Sequence, residues 1–307
     1  MRLYTHASCL THHPGPGNPE SAARLEVILD AVSSAWPEMP WHRPPAATRT
    51  QLLRVHHPAL VSRVLDTRTD RHTGPVHLDP DTVLAVGSAD AAAHAAGAGI
   101  AAVDAVLAGE VRRAFCAVRP PGHHASADEA MGFCLFNNIA VAAAHALQVH
   151  GLSRVAIADF DVHHGNGTQS IFAADAGVLY LSSHQAPLYP GTGAATEAGI
   201  GNAINRPLPP RTGSAPFRDA WTTSLLPALA AFRPQLLLVS AGFDGHRRDP
   251  LADWQLEAAD FEWITKQLIA IAERHAGGRL VSMLEGGYDL AALSECSVAH
   301  VGALLRT

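Results

Sequence analysis

Apolar runs of strand length alternate with longer segments of helical periodicity along the whole chain. Strands are predicted at 2–5, 114–118, 154–159, 178–182, 235–240 and 279–284. Helices are predicted at 21–35, 82–108, 138–150, 216–232, 255–276 and 289–305, with Asn138 and Asp81 placed to cap two of them. Runs such as AFCAV and QLLLVS are continuously apolar, not alternating. That marks a parallel sheet covered on both faces. WPEMPWHRPP (36–45) reads as loop, and no linker, internal repeat or low-complexity segment breaks the rhythm. Residues 1–307 therefore read as one doubly wound α/β domain.

Composition narrows the classes. Apolar residues make up 48% and charged residues 16%, which suits a packed globular core. The net charge is −6 and the only lysine is Lys266. Arginines cluster no further than Arg112–Arg113 and Arg247–Arg248, so no nucleic-acid partner is expected. Cys9, Cys116, Cys134 and Cys296 lie far apart with no CxxC, which points to a reducing compartment and away from a cysteine zinc cluster. MRLYTHASCLTHHPG lacks a signal-peptide core. The Ala-rich stretch 89–109 carries Asp90, His94 and Asp104, so it reads as a helix and not a membrane span. The expectation is a cytoplasmic protein without a membrane partner. A homo-oligomer is compatible with these features.

Four predicted strands run into polar sequence: RPPGHHA (119–125), DFDVHHGNG (159–167), AGFDGHRRDP (241–250) and EGGYD (285–289). In an open parallel sheet, ligands bind at the carboxyl ends of strands, so these ends converge if the strands share a sheet. In an extended chain, Asp159, Asp161 and His163 face one way, and Phe160 and Val162 the other. Carboxylate and imidazole at such spacing can close on a metal ion, which offsets their desolvation. Asp244 supplies a third ligand. Two carboxylates and one imidazole fit Zn²⁺ with an open fourth position, and by ligand type also Fe²⁺ or Co²⁺.

Histidine is abundant, so single doublets mean little. Nineteen histidines give roughly one His-His pair by chance, against four here. His12–His13 and His56–His57 read as solvated loop or helix-end residues. Asp244 alone would be an ordinary turn residue, and Tyr288 alone a half-buried core residue. Their weight comes from convergence.

Taken together, RPPGHHA, GFCLFNN (132–138), DFDVHHGNGT (159–168), SAGFD (240–244) and EGGYD resemble, in order and spacing, the zinc-dependent histone deacetylase family. The resemblance covers nearly the whole chain. It implies the three-layer α/β/α arginase–deacetylase fold around a mainly parallel sheet of about eight strands. It also implies one Zn²⁺ on Asp161, His163 and Asp244, tandem active-site histidines His123 and His124, and a catalytic Tyr288. Gly132 and Phe133 match one wall of the substrate channel, and Tyr189 with Leu188 is placed on the other. Gly286 and Gly287 are counted with the channel. Structural K⁺ is implied at Asp159, Asp161, His163 and Ser182, with a second site near Phe172 and Val178. The substrate implied is an acyl-lysine peptide or a small acylated amine.

Two positions separate branches of the family. Asp159 matches the carboxylate that orients the first histidine, whereas the position orienting the second is Asn166, as in the class II branch and its bacterial relatives. Some polyamine-specific members carry an acidic gatekeeper where this chain has Leu251, which favours acyl-lysine over acetylpolyamine. Arginase-type enzymes need aspartates where this chain has Gly165 and His246, so a binuclear manganese site is disfavoured. An inactive acyl-lysine-binding protein is disfavoured because every catalytic position is filled.

Overall fold

The computed structural model describes residues 1–69 and 74–306. Its strands are β1 (Arg2–Tyr4), β2 (Trp41–His42), β3 (Val76–His77), β4 (Val83–Leu84), β5 (Arg113–Cys116), β6 (Val155–Asp159), β7 (Val178–Gln185), β8 (Ala203–Leu208), β9 (Leu236–Ala241) and β10 (Leu280–Leu284). Eight form one all-parallel sheet in the order β2-β1-β5-β10-β9-β6-β7-β8, and β3–β4 is a small antiparallel hairpin. The helices are α1 (Ala22–Ala35), α2 (Arg49–Leu52), α3 (Pro58–Asp66), α4 (Ser88–Leu107), α5 (Asn138–Gln148), α6 (Asn166–Phe172), α7 (Ser214–Ala220), α8 (Leu226–Phe232), α9 (Ala258–His275) and α10 (Leu290–Leu305).

The central strands β5, β6, β9 and β10 are buried at every residue, as the unbroken apolar runs require. Helices α1, α10 and α9 pack together as one group, and α4 with α5 as another. The sheet order makes β5, β10, β9 and β6 neighbours, the four strands whose ends carry the polar sequences. Register keeps those ends level: Cys116 pairs with Met283, Met283 with Ser240, and Ser240 with Asp159.

Several local expectations are corrected. Asn137, not Asn138, caps α5, its side chain accepting from the Ala140 N–H at 3.0 Å. Asn138 is helical and donates to the Pro120 carbonyl. Asp81 caps nothing: α4 begins at Ser88 after Gly87, and 82–87 holds β4. The predicted helix 216–232 is interrupted by a π-helical turn at Trp221–Leu225 just before Pro227, which has no N–H to donate. β2, β3, β4 and β8 were not predicted. β8 is a partly exposed edge strand without a continuous apolar run.

His12 and His56 are buried, not solvated. His56 takes the Asn137 N–H on Nε2 and holds the Ser126 carbonyl through Nδ1. His12 bonds Ser88 and sits 3.4 Å from Glu20. Glu20 is fully buried and receives Arg119 at two oxygens (2.5 and 2.7 Å) and Arg24 at 3.0 Å. Burial would raise the Glu20 pKa, but Arg119 and His12 hold it well below the usual carboxylate range. Glu20→Ala strands two buried guanidinium groups and should cost about 3–5 kcal/mol. A denaturant midpoint that falls accordingly, with unchanged slope, checks this.

Candidate active site

β6 ends at Asp159, and the chain then bends so that Phe160 and Val162 enter the core while Asp161 and His163 turn to Asp244 from the loop after β9. His163 Nδ1 lies 3.1 Å from Asp161 Oδ1 and 3.1 Å from Asp244 Oδ2. One donor atom from each of the three residues falls within 4.8 Å of the others, all buried. Backbone N–H groups hold the remaining oxygens: Gly286 donates to Asp161 Oδ2 (2.8 Å) and Val162 to Asp244 Oδ1 (2.9 Å). Burial and the Asp161 charge push Asp244 up to about 7, while His163, despite burial, is raised to about 10 by its two carboxylates. An imidazole proton here does the work a divalent cation does better, and these three donors fit such an ion.

Two other groupings of metal-ligand type occur among the described residues. His6 and His94 stack in parallel with centroids 3.6 Å apart, so their in-plane lone pairs run side by side and do not converge. Asp104 faces Nε2 of both His145 and His150 at 2.7 Å, and Arg54 donates to His145 Nδ1. That leaves His145 no lone pair for a metal at Nε2.

The loop after β5 brings the tandem histidines over the cluster, rings 4.1 Å apart. His123 Nδ1 bonds Asp159 Oδ2 at 3.0 Å, and the same oxygen accepts the Tyr180 hydroxyl. His124 Nδ1 donates to Asn166 Oδ1 at 2.8 Å, which leaves its Nε2 lone pair free. Burial lowers both, but Asp161 and Asp159 raise His123 to about 10. His124, with only an amide as partner and His123 and His163 nearby, falls well below the ordinary value. The two rings are thus pushed in opposite directions, His123 up and His124 down. Beneath them Glu285 accepts the N–H groups of Gly122 and His123 and the Ser240 hydroxyl.

A cleft of about 580 Å³ opens above. His124, His163 and Tyr288 line it together with Gly132, Phe133, Leu188, Tyr189 and Leu251. Phe133 takes a left-handed φ of 68°, held by its N–H to Thr82. Its ring lies 5.9 Å from that of Tyr288, and Tyr189 stands edge-on to His124 at 5.1 Å. Gly286 and Gly287 do not line the cleft: they lie under it, buried, Gly286 against the two carboxylates. Arg24 reaches from α1 to the carbonyls of Glu285 and Gly287 and places its guanidinium 4.7 Å from the Tyr288 ring centre.

Asp159 and Ser182 are register partners on β6 and β7, and Ser182 Oγ bonds His184 Nδ1. The carbonyls of Phe172 and Val178, assigned to a second potassium by resemblance, both lie within bonding distance of the Asn202 amide nitrogen (2.7 and 3.0 Å). Tyr180, Glu285 and Arg24 had no assigned role in the sequence reading, since each acts through a partner distant in the chain.

Residues 18–304 match the sequence profile of the histone deacetylase domain. The chain is 43% identical over 292 residues to the histone deacetylase-like amidohydrolase of Pseudomonas aeruginosa, covering 94% of this chain and 76% of that protein. It is 39% identical over 293 residues to a probable deacetylase of Archaeoglobus fulgidus, covering 93% and 80%. The crystal structure of the HDA15 HD domain superposes with a TM-score of 0.92 at 35% identity, covering 99% of this chain and 87% of that one. The chain belongs to the histone deacetylase family. That membership supports hydrolase activity of the deacetylase or amidohydrolase type.

A Cβ on residue 286 would sit 1.9 Å from Asp244 Oδ2 and 2.7 Å from Asp161 Oδ2. Gly286→Ala should therefore weaken metal binding by roughly 10–100-fold while the fold persists. Metal titration against circular dichroism tests this.

Proposed function

We propose that this chain removes acetyl or other acyl groups from the ε-amine of lysine, or from a related small amide, with one Zn²⁺ held by Asp161, His163 and Asp244. The observation that carries the reading is the shared cleft floor: a neutral imidazole and a phenol stand beside a buried three-donor cluster. Zinc bound there supplies Lewis-acid polarisation of the amide carbonyl and makes water more acidic. His124 takes the water proton at Nε2 and returns it to the leaving amine. His123, paired with Asp159, contributes fixed positive charge close by. The Tyr288 hydroxyl, whose pKa burial pushes well up, remains protonated and donates to the developing oxyanion. K⁺ beside Asp159, Asp161, His163 and Ser182 is part of the same proposal.

The walls suit an aliphatic stem: Phe133, Leu188, Tyr189 and Leu251 surround it. An acetylpolyamine is the second reading, favoured by the Asp81 carboxylate at the mouth. A binuclear centre meets a physical obstacle. Even a Cβ at Gly165 would lie 2.4 Å from Asp159 Oδ2.

Acetyl-lysine peptides, longer acyl-lysines and acetylpolyamines, assayed with zinc and with a hydroxamate inhibitor, decide the substrate. Turnover of none would remove the proposal. Tyr288→Phe should lower kcat by about 10²–10³ with zinc retained. Asn166→Asp places a carboxylate on His124 and raises its pKa. The acid limb of the kcat/KM profile should then move to higher pH, and an unmoved limb would count against His124 as the base.

A further inference from the structure

Asp249 stands five residues beyond Asp244 and is 7% exposed. Its Oδ2 accepts the Tyr288 N–H at 2.7 Å, and its Oδ1 accepts the Leu251 N–H at 3.0 Å. Among the described residues no lysine, arginine or histidine forms an ion pair with it. Burial pushes its pKa up to about 6 although the Tyr288 and Leu251 N–H groups oppose the shift. A carboxylate buried without a counter-charge is costly, and a neutral side chain could fill the space at less cost. What the carboxylate alone provides is two oxygens, both accepting, for main-chain groups on two walls of the cleft.

Those groups matter because of where Tyr288 hangs. The Gly287 carbonyl just before it is held by Arg24, and Arg24 also covers the face of its ring. Its N–H is held by Asp249. The peptide that carries the phenol is therefore fixed from both ends, one by a cation and one by an anion. We propose that Asp249 is a positioning residue for Tyr288, setting the approach of its hydroxyl to the substrate carbonyl. The proposal rests on the deacetylase reading above, in which that hydroxyl donates to the oxyanion.

Asparagine at 249 keeps size but turns an N–H₂ toward one of the backbone donors, so the Tyr288 peptide should shift. Displacement of a catalytic group by a fraction of an ångström to an ångström costs about ten- to a hundredfold. The test is a double-mutant cycle of Asp249→Asn and Tyr288→Phe on the zinc-loaded enzyme, with kcat, KM, bound zinc and denaturant midpoint read for each. The expected result is a kcat loss of about tenfold or more for Asp249→Asn, with KM and zinc content near the parent's. In the Tyr288→Phe background the same change should cost almost nothing more. Parental kcat, an equal loss in both backgrounds, a rise confined to KM, or loss of zinc would each overturn the assignment. If Asp249→Asn does not fold, Asp249→Ser, which removes the charge and keeps an acceptor, enters the same cycle with the same outcomes. A fully active Tyr288→Phe would instead sink the deacetylase mechanism itself, so the two failures are distinguishable.

Discussion

Two carboxylates, each within hydrogen-bonding distance of one imidazole and all cut off from water, form an arrangement that burial opposes. Left to themselves such groups would separate or exchange protons until their charge was reduced. The protein prevents separation by construction. Asp161 and His163 leave the end of β6, Asp244 leaves the end of β9, and the two strands are bonded neighbours. Backbone N–H groups from Val162 and Gly286 then fix which carboxylate oxygen faces inward. A bound cation would meet the demand that this geometry creates, and the deep, level sheet holds the demand in place.

Around that centre the protein sorts charge by the type of partner it gives each ring. His123 faces a carboxylate and His124 an amide, with the same contact through Nδ1 in both cases. Together with the Asp161 charge beside His123 and the neighbouring His123 and His163 beside His124, the carboxylate and the amide push the two rings in opposite directions. Tyr180 and Glu285 bond the groups that do this sorting, and so preserve orientation without touching the cleft.

Much of this was readable in the chain. The apolar runs of β5, β6, β9 and β10 were unambiguous because both faces of each are covered, and their polar ends marked the site. Period-two alternation put Asp161 and His163 on one face, Asp244 gained weight only from convergence, and the structure brings these three side chains together. Failures came where local pattern and tertiary context part. AINRPL carries only half a buried face, so β8 left no apolar run. Asn137 and Asn138 are chemically identical, and only backbone geometry decides which one caps. His12 and His56 looked like surface histidines because their buried partners lie 76 and 81 residues away in the chain. Arg24 and Asp249 carry no local signature at all, since their bonds to the tyrosine loop span 263 and 39 residues.

Part of the cleft wall is separable from its floor. Pro14, Pro80 and Leu188 come from three loops that carry none of the tandem histidines, the three clustered donors or Tyr288, whereas Phe133 shares its loop with His123 and His124, and Leu251 shares its loop with Asp244. Floor residues are instead interlocked through strand ends and shared backbone donors. Lengthening or exchanging the loops of Pro14, Pro80 or Leu188 changes which molecules can enter while leaving the bond-breaking apparatus untouched. Such a scaffold lets a lineage acquire new substrates by small surface edits, at little risk to the reaction it inherits.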